Sequence, residues 1–207
     1  MNQDQPISQR MTITDQLRAR TRFIIDPIVN VLARYRLGPD FLTVLGLVTH
    51  IFFAYLIAVG EFRWAALAIA LLSPLDALDG ALARKIGRQQ GGFGAFLDST
   101  LDRLAEIIIY GGFIFYYYNQ NDPAMLAIAY LAATGSLMVS YARSRAEALG
   151  YHAKLGLMSR VERYVILIIF LALNLPNIAL PILAVFTYLT FFQRMWAVWR
   201  QSRVSNE

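Results

Sequence analysis

The chain alternates long apolar blocks with short polar turns rich in glycine or asparagine. Six blocks approach 20 residues, the length at which a helix rising 1.5 Å per residue crosses about 30 Å of hydrocarbon. They cover residues 39–59, 64–83, 93–117, 124–146, 161–175 and 178–198. The fifth is short, and Thr134, Gly135, Ser136 and Ser140 dilute the fourth. Ahead of them, residues 14–36 interleave arginines with Leu17, Phe23, Ile24, Ile25, Ile28, Val29 and Leu32 at helical spacing. This pattern predicts a helix lying in the membrane interface, kinked at Pro27. The expected fold is an all-α integral membrane protein: six transmembrane helices (residues 39–207) around a polar cavity that faces the cytoplasm, preceded by a cytoplasmic segment (residues 1–38) carrying the interfacial amphipathic helix. No repeat of 20 to 50 residues is evident.

Composition agrees with this pattern. Of 207 residues, 57% are hydrophobic and only 16% charged, against about 25% charged in an average soluble domain. A soluble globular domain is thereby excluded. The absence of cysteine removes disulfides, thiolate nucleophiles and thiolate metal sites. The first 38 residues are polar and basic, unlike a cleavable signal peptide, so the N-terminus is expected to stay where it is made. Basic residues accumulate on the cytoplasmic side of membrane proteins. Here all but Arg63 of the nineteen fall before the first block, around the connections after the second and fourth, or in the tail. The other side has uncharged turns such as those around Asn121 and Asn174. Both termini are therefore expected in the cytoplasm of a multi-pass cell-membrane protein. The net charge of +5 divides into this topology signal and a phosphate-binding cavity, which leaves no reason to expect nucleic acid.

The chemistry gathers at the cytoplasmic ends of the second and third blocks. Asp76 and Asp79 are three residues apart and Asp98 and Asp102 four apart, so each pair shares a helix face. The short turn Gln89-Gln90-Gly91-Gly92 predicts that the two helices are antiparallel neighbours. Four carboxylates at close quarters in a low-dielectric site need cations to remain ionised. A set of oxygen donors without His or Cys favours Mg²⁺ or Mn²⁺, and suffices for two ions. Gly80 and Ala83 leave room for a ligand to approach the backbone, and Arg84 is a bidentate phosphate donor. The plainer alternative is that the acids pair with arginines such as Arg84, Arg103, Arg143 and Arg145 to hold helices together. Ionisable groups in membranes are costly and usually functional, which favours metal-assisted phosphoryl transfer for the cluster as a whole.

Residues Asp76 to Asp102 resemble the signature of the CDP-alcohol phosphotransferase family, D-x2-D-G-x2-A-R followed, after a spacer of eight or nine residues, by G-x3-D-x3-D. The spacer here is nine, Lys85 to Phe93. The resemblance implies an enzyme that transfers the lipid-bearing phosphoryl group of a CDP-linked donor to an alcohol and releases CMP. It implies Asp76, Asp79, Asp98 and Asp102 as metal ligands, Asp102 also as general base, and Asp79, Gly80, Ala83 and Arg84 as the cytidine diphosphate pocket. Pro39 and Thr43, in a stretch resembling P-N-x-[ILV]-T, would complete that pocket. Asp40 departs from the pattern, where Asn is commoner, and could simply cap the helix.

Arginines at the cytoplasmic ends of the last three blocks suit an anionic acceptor. The stretch from Ser140 to Gly150 resembles S-Y-x-[KR]-x-R-A-E-x-x-G of prokaryotic inositol-phosphate-using members, Arg160 to Arg163 their R-x-E-R, and Arg194 a last-helix arginine. That likeness implies Ser140, Arg143, Arg145, Arg160, Arg163 and Arg194 as binders of the acceptor, a phosphorylated polyol. The expected reaction moves a phosphatidyl group from CDP-diacylglycerol, or its ether analogue, to inositol phosphate. A homodimer is implied by the resemblance alone. Positive-inside topology would by itself also place these arginines here. The alternatives are glycerol 3-phosphate as acceptor and, from another class, a cation transporter; a dead scaffold is disfavoured because every signature residue is present. Glu147 and Glu162 are expected as ion-pair partners. His50 and His152 have no ligand-spaced partners and are expected to stand outside the chemistry. Tyr116, Tyr117, Tyr118, Trp64, Trp196 and Trp199 are expected in interfacial aromatic belts.

Overall fold

A computed structural model describes residues 38–73, 76–87, 92–153 and 155–204, together with residues 27, 29–32 and 34; the side chains of Asp76, Ala77, Asp79 and Val204 are outside that description. Every regular element among the described residues is a helix. These are α1 (Pro39–Ala58), α2 (Phe62–Leu72), α3 (Asp76–Lys85), α4 (Gly92–Asn119), α5 (Pro123–Ala148), α6 (Arg160–Ala172) and α7 (Pro176–Val204). Three of them, α1, α5 and α7, are long and apolar enough to cross a membrane.

Helix ends follow local chemistry. Pro39, Pro123 and Pro176 open α1, α5 and α7, where a fixed φ and a missing N–H are not penalised. The Asp122 carboxylate accepts the Met125 amide at 3.0 Å and caps α5. Asp40 is not the cap of α1: Gly38 takes that position, and the Asp40 carboxylate sits in the first turn, where negative charge complements the helix dipole. After α4 and α6, Asn121 and Asn174 turn left-handed, with φ of 54° and 60°, the conformation that commonly ends a helix. The predicted second block is two helices, because α2 stops at Leu72, just ahead of Pro74 in the sequence, and α3 restarts at Asp76. A proline removes one hydrogen bond and crowds the preceding turn.

Helix α1 is the hub, packing on α2, α3 and α4; α5 lies between α4 and α7, and α6 contacts α2 and α7. The core they share includes Phe53, Ile57, Ile69, Phe113, Leu167 and Leu183. Two helical glycines permit close packing between helices: a Cβ on Gly112 of α4 would lie 2.5 Å from the Ala54 carbonyl of α1, and one on Gly135 of α5 would collide with Thr187 Oγ1 of α7. Val29 packs with Leu78 and Leu82 of α3, so the described part of the preceding amphipathic segment is helical and docked; the rest of that expectation lies outside the described residues. The outer surface carries large exposed apolar side chains, among them Phe52, Tyr55, Leu71, Phe115, Val185 and Phe192, as lipid contact requires. Trp64, Trp196 and Trp199 are exposed as expected, but Tyr117 is buried and Tyr116 packs edge-on against Phe62. Tyr117 thus belongs to the packed interior, and the partly exposed Tyr116 rests against it.

Candidate active site

Asp98 and Asp102 project one turn apart from α4 into a cavity whose opposite wall is Thr43, Gly46, Leu47 and His50 of α1. The spacing of Thr43, Gly46, Leu47 and His50 is that of one helix face, and Gly46 leaves space before the carboxylates. The two carboxylates thus share one opening, and their hard oxygen donors fit Mg²⁺ or Mn²⁺. Asp76 and Asp79 lie on α3, and the principal packing partner of both acid-bearing helices is α1. Gly80, Ala83 and Arg84 follow on α3, with Arg84 exposed. Pro39 is buried at the start of α1, and Thr43 donates to its carbonyl at 3.2 Å.

The six residues predicted for the acceptor separate into two groups. Arg160, at the first turn of α6, forms an ion pair with Asp102 and lies 5.4 Å from the centroid of the Tyr164 ring. Arg143 pairs with Glu147 at 2.9 Å on the exposed side of α5, and Arg145 is exposed nearby. Arg163, only 1% exposed, donates two nitrogens to Glu106 at 2.8 Å each and a third to the Met158 carbonyl at 2.9 Å, while its Nη2 stands 3.5 Å from Ser140 Oγ. Arg194, also buried, donates to the carbonyls of Leu155 (2.9 Å) and Val139 (2.6 Å). Arg163 and Arg194, expected among the residues that bind the acceptor, are here braced by protein acceptors.

Magnitudes separate these pairs. The side chains of Arg160 and Asp102 are 29% and 35% exposed, and an ion pair of that exposure contributes about 1 kcal/mol or less. An incoming phosphate can displace it. Removing one partner of a buried pair such as Arg163–Glu106 costs roughly 3–5 kcal/mol, which marks this pair as part of the packed framework.

Sequence reasoning passed over Glu106 and Tyr164, and it set His50 outside the chemistry, whereas the structure places His50 in the cavity wall. Glu106 continues the stripe Asp98, Asp102 at the next i+4 position, and Tyr164 stands four after Arg160, so both were open to a helical-spacing argument. Arg103, considered as a partner for the acids, instead donates to the Ser99 carbonyl and the Ser144 hydroxyl. Glu147 pairs with arginine as expected, and Glu162 accepts from Ser159 at the start of α6.

Residues 36–199 match the family described as CDP-alcohol phosphatidyltransferase. The chain belongs to that family. Among relatives of this transferase, a phosphatidylinositol phosphate synthase of Streptomyces avermitilis is 34% identical, covering 95% of this chain and 86% of its own. An archaetidylinositol phosphate synthase of Methanothermobacter thermautotrophicus is 36% identical over 92% and 96%. The fold is similar to crystal structures of the Mycobacterium tuberculosis phosphatidylinositol phosphate synthase, at 29% identity. With CDP-DAG bound the TM-score is 0.77, covering 85% of this chain and 94% of that one. In complex with manganese and citrate it is 0.78, covering 84% and 88%.

Proposed function

We propose that this transferase moves a phosphatidyl-type group from CDP-diacylglycerol, or its ether analogue, to inositol phosphate and releases CMP. The observation that carries this reading is the Arg160–Asp102 pair, which joins a guanidinium suited to a phosphate with a carboxylate suited to an adjacent hydroxyl. The names of the two relatives and the CDP-DAG-bound neighbour support the same donor and acceptor.

Asp76, Asp79, Asp98 and Asp102 would hold two divalent ions, Mg²⁺ or Mn²⁺, and the manganese complex of the neighbour supports such a metal. When bound, such ions neutralise the donor diphosphate and the departing CMP. Pro39, Thr43, Asp79, Gly80, Ala83 and Arg84 would hold the nucleotide. Asp102 accepts the proton of the acceptor hydroxyl. That oxygen bonds to the phosphorus bearing the lipid, and the phosphorus–oxygen bond to CMP breaks with its electron pair leaving on CMP. Direct attack makes the kinetics sequential, with no phospho-enzyme. Arg143, Arg145 and Arg160, with Ser140, meet the acceptor; Arg163 and Arg194 hold that wall in shape. The chain crosses the cell membrane six times, with α2 and α3 forming one broken span and both termini and the site facing the cytoplasm. A homodimer is the proposed assembly.

Purified protein incubated with CDP-diacylglycerol, Mg²⁺ and each acceptor tests the proposal. CMP is expected with inositol phosphate, none after Asp102→Asn, and none with EDTA until Mg²⁺ or Mn²⁺ is restored. CMP with glycerol 3-phosphate but not inositol phosphate reassigns the acceptor. Metal flux into liposomes without CMP rejects the enzyme in favour of a transporter.

A further inference from the structure

His50 lies in the middle of α1, a helix otherwise suited to lipid, yet it is only 1% exposed. Burying an imidazole is costly unless its nitrogens are satisfied. Nδ1 lies 2.7 Å from the Gly46 carbonyl, and Nε2 lies 2.8 Å from the Tyr164 hydroxyl of α6. A carbonyl only accepts, so Nδ1 carries the proton; in the neutral ring Nε2 is then an acceptor, and Tyr164 donates to it. The two rings meet edge to face, 6.0 Å apart at 68°. Tyr164 in turn presents its ring to the Arg160 guanidinium one turn earlier on α6, and Arg160 reaches Asp102 on α4. His50 and Asp102 line the same cavity. Three helices that bring separate parts of the site are thus tied by one chain of contacts.

A cation is attracted to an aromatic face and not to its edge, so the rotation of the Tyr164 ring matters. A phenol O–H prefers the plane of its own ring, so its bond to His50, together with the edge-to-face contact of the two rings, favours one rotation. We propose that His50 and Tyr164 are positioning residues that hold Arg160 beside Asp102 and so set the affinity for the phosphorylated acceptor. The inference rests on the proposed function, in which Arg160 meets the acceptor phosphate.

The test compares kcat and both KM values for wild type, Tyr164→Phe, His50→Leu, His50→Gln and the His50→Leu/Tyr164→Phe double variant. The acceptor KM is expected to rise about three- to tenfold in Tyr164→Phe and His50→Leu, the factor carried by an ordinary hydrogen bond, with the CDP-diacylglycerol KM within about twofold of wild type. His50→Gln, whose amide oxygen can accept from Tyr164, should recover most of the affinity. The double variant should be no worse than the poorer single one, as coupled residues behave. If His50→Leu fails to purify as a folded protein, Tyr164→Phe, which removes one oxygen, carries the test. An unchanged acceptor KM in active Tyr164→Phe overturns the inference, as does a joint rise of both KM values without recovery by glutamine. Wild type that releases no CMP with any alcohol phosphate overturns the proposed function itself and the inference with it.

Discussion

At the scale of single residues, two arginines three positions apart on α6 have opposite environments. Arg160 shares a partly exposed pair with a carboxylate at the cavity, whereas Arg163 is sealed against Glu106 with 1% and 7% of the side chains exposed. Glu106→Ala leaves a buried guanidinium without its counter-charge and should cost roughly 3–5 kcal/mol, seen as a large fall in the thermal midpoint of the protein in detergent. The pair Glu106→Leu/Arg163→Met should lie nearer to wild type than either single change, since it removes both charges together. A double variant as unstable as the singles would mean that the Met158 and Ser140 contacts of Arg163 outweigh its ion pair. The sequence made the carboxylate stripe legible because i+4 spacing is local, and it made Arg160 and Arg163 legible by resemblance. It could not separate their roles, because burial is decided by α4, some 57 residues away. His50 was illegible for the same reason: its partner Tyr164 is 114 residues distant.

At the scale of elements, the site depends on how closely α1 and α4 approach, since one supplies the cavity's floor of Thr43, Gly46 and His50 and the other its carboxylates. Gly112 sets that approach. A methyl group there would meet the Ala54 backbone at 2.5 Å, whereas at Gly111 nothing lies within 4 Å. Gly112→Ala should therefore destabilise by about 1–3 kcal/mol, the range for overpacking a close contact, while Gly111→Ala should be neutral or slightly stabilising because alanine is the better helix former. Thermal unfolding of the two variants side by side checks this; equal behaviour would show that α1 and α4 can separate without loss. Five of the six predicted blocks correspond to single helices, within about three residues at their ends except that the last helix runs on six residues to Val204. The second does not, because apolar periodicity reports burial in lipid and does not register a backbone interruption, although Pro74 was visible.

At the scale of the whole molecule, the acidic residues of the site lie on helices that are less like membrane spans in composition than α1, α5 and α7. Helix α4 carries Asp98, Asp102, Arg103 and Glu106, α3 carries Asp76 and Asp79, and α6 is short and begins with Arg160. The apolar helices α1, α5 and α7 supply the lipid-facing bulk against which these polar helices are held, in keeping with the placement of costly intramembrane charges inside a bundle. If all six crossings occur, the turns after α1, α4 and α6 lie on one side of the membrane and those after α3 and α5 on the other. The absence of cysteine makes this directly measurable. Single substitutions at exposed turn positions, Gln120→Cys and Leu173→Cys on one side and Ile86→Cys and Leu149→Cys on the other, can be probed in intact cells with a membrane-impermeant maleimide. The first two should react at once and the last two only after permeabilisation, because clustered arginines such as those around positions 84–88 and 143–163 favour the cytoplasmic side. Labelling of Gln120→Cys and Leu149→Cys from the same side would mean that α5 does not cross, and a uniform reversal would place the carboxylates on the outer face, away from a cytosolic supply of nucleotide-linked lipid headgroups and phosphorylated acceptors.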